Sequence, residues 1–142
     1  MDASFLVSLY ASDANSAAAA AYAGNLPFPF PLPEFGRLEL TNAIHLRVFR
    51  REITAAQAEA ALADVASDLA QGVLRSFPVS AGMYETAQRL AHKHTAAIGA
   101  RALDILHVAA ALELGAERFY TFDRRQARLA RAEGLVTPVR IR

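Results

Sequence analysis

Apolar and polar positions along this chain recur mostly at helical spacing, in stretches set off by cap and stop residues. Ser4 opens a short apolar helix over Phe5 to Ala11, and Asn15 or Ser16 opens an alanine-rich helix that ends at Gly24. Leu26 to Pro33 carries proline at alternate positions. That pattern forbids helix and removes every second backbone donor, so the segment is expected as an edge strand or an extended connector. Helical spacing returns from Glu34 to Arg51, with Phe35, Leu38, Asn42 and Leu46 expected along one stripe. Thr54 and Gln57 make a capping-box pair, which opens a helix running to Gln71 and stopping at Gly72.

Val73 to Val79 reads as a short strand, and Ser80 opens a helix reaching about His94. Ala102 to Leu114 is a strongly apolar helix closed by Gly115. Arg118 to Phe122 is a short aromatic, β-prone run, Arg124 to Glu133 is helical up to Gly134, and Val136 to Ile141 is a last strand. Strands separated by whole helices require parallel crossovers. The expected fold is therefore α/β, a central parallel sheet flanked by helices on both faces, in one domain over residues 1–142.

Composition narrows the chemistry. The chain has 142 residues, 54% of them hydrophobic and 20% charged, enough to bury roughly two-thirds of its unfolded surface. Having no cysteine, it offers no disulfide scaffold, thiolate metal site or cysteine nucleophile. Met1 is followed at once by Asp2, unlike a signal peptide, and no apolar run spans a bilayer, so a cytoplasmic address without a membrane anchor is expected. A net charge of +1 does not by itself announce a nucleic-acid binder. Its distribution is uneven. Residues 1–42 set Asp2, Asp13, Glu34 and Glu39 against Arg37, whereas residues 101–142 hold eight arginines against five acids. That layout fits either an acidic site with basic rims or solvated helix faces.

Ligands of open parallel sheets bind beyond the carboxyl ends of the strands. Asp123 falls there, between the Arg118–Phe122 run and the next helix. Asp104 lies in the first turn of an otherwise apolar helix, where the helix dipole favours an anion. Glu39 sits in the nearly uncharged stretch Leu38 to Ile44, and Asp2 directly precedes the first apolar helix. Each acid alone reads equally as a cap or a solvated charge; the pattern matters if the four converge. His92, His94 and His107 offer a rival zinc site, with Asp104 and His107 three apart on one helix, though His92 and His94 point to different faces.

These residues resemble a known family. Asp2 to Tyr10 looks like the opening motif of PIN-domain ribonucleases, and Glu39-Leu-Thr-Asn-Ala43 looks like their second acidic motif. Arg101 to Ala111 is similar to the third motif, with Asp104 as its acid, and Thr121-Phe-Asp123-Arg-Arg-Gln126 is similar to the fourth. Chains of this size most resemble VapC-type toxins of toxin–antitoxin modules. Only Met1 precedes Asp2, where family members carry several apolar residues, so the first strand is expected to be truncated.

The resemblance implies a metal-dependent endoribonuclease. Asp2, Asp104 and Asp123 would bind the metal, with Glu39 as a further ligand or a water-orienting base. Thr121, Ser4 and Asn42 would support the cluster. Arg101, Arg124 and Arg125 would hold RNA phosphates. Gathered carboxylates stay ionised only if a cation neutralises them, and oxygen-only ligands suit Mg²⁺ or Mn²⁺. The implied partners are RNA, a VapB-like antitoxin and a second copy of the chain. Phe28, Phe30 and Phe35 would either face such a partner or pack inward. The competing reading is a catalytically weak PIN-like binding module that pairs with an antitoxin or with itself.

Overall fold

The computed structural model describes residues 1–141 and has a mixed α/β architecture. The chain divides into two packed units, one from Ala3 to Pro78, the other joining Met1–Asp2 to the chain from Val79 onward.

The Ala3–Pro78 unit holds helices α1 (Ala3–Tyr10), α2 (Ser16–Ala23), α3 (Glu34–Phe49) and α4 (Ala55–Ala70) and strands β1 (Phe30–Pro33) and β2 (Leu74–Phe77). The proline-rich run does become a strand. β1 pairs with β2 in parallel, Phe30 opposite Leu74 and Pro33 opposite Phe77, as befits strands joined through two whole helices. α1 begins at Ala3, so Ser4 lies within its first turn and not at its cap. Asn15 occupies the cap position of α2 without a side-chain cap bond; the Asp13 carboxylate instead accepts from the Asn15 N–H at 2.7 Å. The Thr54–Gln57 capping box of α4 is present, with both reciprocal bonds formed.

The expected stripe of α3 is corrected. Leu38 is 71% exposed and Asn42 is exposed, whereas Gly36, Leu40 and Ile44 are buried. Apolar residues stand on both sides of this helix, so period alone does not choose the side. The i, i+4, i+8 row from Gly36 is the one that packs against α1 and α4. The phenylalanines divide: Phe28 is exposed, Phe30 is buried and Phe35 is half-buried. Phe5, Leu6, Leu32, Leu40, Ile44 and Leu74 form the centre of this core, each contributing on the order of 1.5–3 kcal/mol by burial.

The second unit is built on α5 (Ala81–Ile98), α6 (Ala102–Glu113) and α7 (Arg124–Ala132). α5 runs four residues past His94 because its stop is Gly99, whose φ of +70° is the left-handed conformation that glycine accepts most readily. α6 packs against both α5 and α7 through a buried face that includes Ile105, Val108 and Ala109. The two strands expected at the end of the chain are reduced to a single parallel bridge between Arg118 and Val136, with Phe119 donating to the Val136 carbonyl at 2.8 Å. Pro138 lacks the N–H that a continuing ladder would use. Asp2 joins the same region, its N–H donating to the Tyr120 carbonyl at 3.1 Å. No helix of the described residues is long and apolar enough to cross a membrane.

Candidate active site

Local helix chemistry fixes two of the predicted acids. Asp104 is the third residue of α6, and its carboxylate turns back to accept from the Arg101 N–H at 2.8 Å, closing the first turn. Asp123 is the cap of α7, with Oδ1 accepting from the N–H groups of Arg125 at 2.7 Å and Gln126 at 2.9 Å. Both acids are therefore helix caps. Capping does not exhaust them, because each carboxylate has a second oxygen or a second lone pair turned elsewhere.

Asp2, Asp104 and Thr121 are almost completely buried. The Thr121 hydroxyl donates to Asp2 Oδ2 at 2.8 Å and accepts from the Asp123 N–H at 2.9 Å, so one threonine ties two of the acids together. The Arg101 guanidinium ties the other pair. Its Nε and Nη2 donate to the two oxygens of Asp104 at 3.1 and 3.0 Å, and Nη2 also stands 3.6 Å from Asp123 Oδ2. Two carboxylates thus share one guanidinium that is itself largely exposed, its side chain retaining 64% of its accessible area. Screening by water makes such a cation a weak counterweight.

Gln126 completes the arrangement, and the sequence reading gave it no role. Its amide donates to Asp104 Oδ1 at 3.3 Å, while its Oε1 is buried with no hydrogen-bond partner among the described residues. A buried carbonyl oxygen left in this state is costly, on the order of 1–3 kcal/mol, unless a ligand or cation meets it. The available signal was its spacing. Gln126 precedes Leu129 and Ala130 by three and four residues, which puts an amide on the buried face of α7.

Around this centre, Arg101, Phe122, Asp123, Arg124 and Arg125 line a cavity of about 390 Å³. Glu39 and Asn42 lie on α3 and Ser4 on α1, all in the Ala3–Pro78 unit, Glu39 half-buried and Asn42 exposed. The histidines are not assembled. His94 binds Glu133 at 2.6 Å, His92 is exposed, and His107 is buried within α6. Among the described residues, no three Asp, Glu or His side chains converge as metal ligands, with Arg101 standing between Asp104 and Asp123. The donor set present there, carboxylate oxygens with an unmatched carboxamide oxygen and no sulfur, is the kind a hard divalent cation takes.

No curated protein matches the chain. The family model for the PIN domain matches residues 1–132, nearly the whole length and all four acidic motifs. The chain belongs to the PIN domain family.

Proposed function

We propose that this chain is an Mg²⁺- or Mn²⁺-dependent endoribonuclease and the toxin of a toxin–antitoxin pair. PIN domains are in general metal-dependent nucleases, which supports a nucleic-acid-binding hydrolase by class. The observation that carries this reading is the shared guanidinium: Asp104 and Asp123 face one exposed arginine, beside the unmatched Gln126 Oε1.

In this reading Asp104, Asp123 and Asp2 would hold the cation. When bound, such an ion supplies a water of lowered pKa and stabilises charge on the phosphate. Thr121 keeps the Asp2 carboxylate aimed, and Gln126 does the same for Asp104 while offering Oε1. Arg101 neutralises the acids and, swung outward, meets a substrate phosphate together with Arg124 and Arg125. A VapB-like antitoxin and a second copy of the chain are the proposed protein partners.

The test is cleavage of a mixed RNA substrate with Mn²⁺, comparing wild type with Asp104→Asn and using EDTA as control. The proposal expects cleavage by wild type alone, lost in both controls. A folded wild type that leaves the RNA intact would favour the binding-module reading, in which Arg101 keeps the two carboxylates closed.

A further inference from the structure

A second cleft, of about 660 Å³, lies along α7 on the side away from the core and is lined by Arg124, Arg128, Arg131, Arg140 and Thr137. The first three arginines are spaced i, i+4, i+7, so they fall within an arc of about 60° on the helix surface. All three are exposed, whereas Gln126, Leu129 and Ala130 take the buried side. Arg140 closes the cleft from the last segment of the chain, and Thr137 Oγ1 accepts a hydrogen bond from Arg131 Nε, which fixes that side chain at the edge.

Four guanidiniums in one cleft repel one another, and solvated helix faces usually relieve this with acids three or four residues away. α7 has none: its sequence is Arg-Arg-Gln-Ala-Arg-Leu-Ala-Arg-Ala. No acidic side chain lines the cleft, and among the described residues no carboxylate pairs with Arg128, Arg131 or Arg140. Glu133, the acid nearest in sequence, is bound to Arg89, Lys93 and His94. Among the described residues the charge of Arg128 and Arg140 thus meets no carboxylate and is open to an anionic ligand.

The cleft's position says which. Arg124 lines both this cleft and the cavity that holds Asp123, Arg101 and Arg125, so the two are neighbours at the N-terminus of α7. We propose that the cleft of Arg124, Arg128, Arg131 and Arg140 carries the backbone phosphates of a nucleic-acid strand that continues past the carboxylate site. A strand offers one phosphate per nucleotide to successive guanidiniums, each suited to bidentate contact. Phe122, half-buried, lines the adjoining cavity. An acidic peptide lacks the regularly repeated backbone phosphates of a strand. The location of the cleaved phosphate rests on the nuclease reading; the cleft's binding of a strand does not.

The experiment is fluorescence anisotropy of a labelled single-stranded RNA dodecamer, titrated with the full chain in EDTA at several NaCl concentrations. Each phosphate contact on a single strand contributes about −0.7 to the slope of log affinity against log salt. Arg128→Ala combined with Arg140→Ala is expected to weaken binding about tenfold whatever the RNA sequence, and to flatten that slope by about 1.4. Its thermal melting should match wild type, because both side chains are exposed and unpaired with any described carboxylate. Unchanged affinity and slope in the double variant would overturn the proposal. So would a polyglutamate competitor that binds as tightly as the RNA and loses as much affinity in the double variant, which would assign the cleft to an acidic peptide. Cleavage is not the readout: a wild type that binds with the expected slope but never cuts RNA fails the nuclease reading and still supports the cleft.

Discussion

Two sets of carboxylates in the unit from Val79 onward are treated in opposite ways. At the C-terminus of α7, Glu133 receives Lys93 Nζ at 2.8 Å, His94 Nε2 at 2.6 Å and Arg89 Nη1 at 3.2 Å, three basic groups from α5 on one acid. Burial opposes its ionisation, yet those hydrogen bonds outweigh burial and hold its pKa at about 2 instead of 4.5. At the N-terminus of the same helix, Asp123 and the fully buried Asp104 share a single exposed guanidinium. An acid saturated by neighbouring cations is a fastening between helices. Acids left short of cations are where a protein holds one from outside.

The contrast predicts opposite consequences for removing the charge. Asp104→Asn or Asp123→Asn should lower RNA cleavage at least about 100-fold, on the order of 2.7 kcal/mol of transition-state stabilisation. The amide retains an acceptor for the helix cap, so melting should change little; single-turnover assays beside thermal melts read both. Gln126→Leu removes the bond to Asp104 and the unmatched Oε1 together. Groups that orient metal ligands typically matter by 10- to 100-fold, and a loss of about tenfold in Mn²⁺ affinity is expected by calorimetric titration.

Glu133→Gln should reverse this profile. Cleavage should stay near wild type, while stability in urea should fall by about 1–2 kcal/mol, the exposure of Arg89 and Lys93 screening the rest. The smallest effect is its pH dependence. Because Glu133 titrates lower folded than unfolded, its contribution is complete above pH 4.5 and disappears as pH falls towards 2. The stability gap between wild type and Glu133→Gln should accordingly close over that interval.

Much of this was legible in the sequence because it is local. Caps and stops at Thr54, Gly72, Ser80 and Gly134 belong to helix ends and need no tertiary information, and so do Asp104 as a first-turn acid and Asp123 at a helix start. The buried side of α3 was not legible, since Leu38 and Leu40 are equally apolar and only packing against α1 and α4 selects Leu40. The final strand was overestimated because Val136 to Ile141 is β-prone by composition while Pro138 interrupts its donors. The PIN membership was readable from the order of the four acidic motifs. Gln126 escaped because an amide carries no charge to mark it, and the sharing of Arg101 escaped because no sequence pattern states a distance.

Thermal unfolding with Mn²⁺ reads directly whether Asp104 and Asp123 form a divalent-cation site. At a hundredfold excess over Kd, a site present only in the folded state adds about 2.7 kcal/mol. Wild type and Glu133→Gln should both melt several degrees higher with the ion, and Asp104→Asn should not move. A wild type indifferent to Mn²⁺, or an Asp104→Asn protein that is stabilised as much as wild type, would mean that these carboxylates hold no such ion.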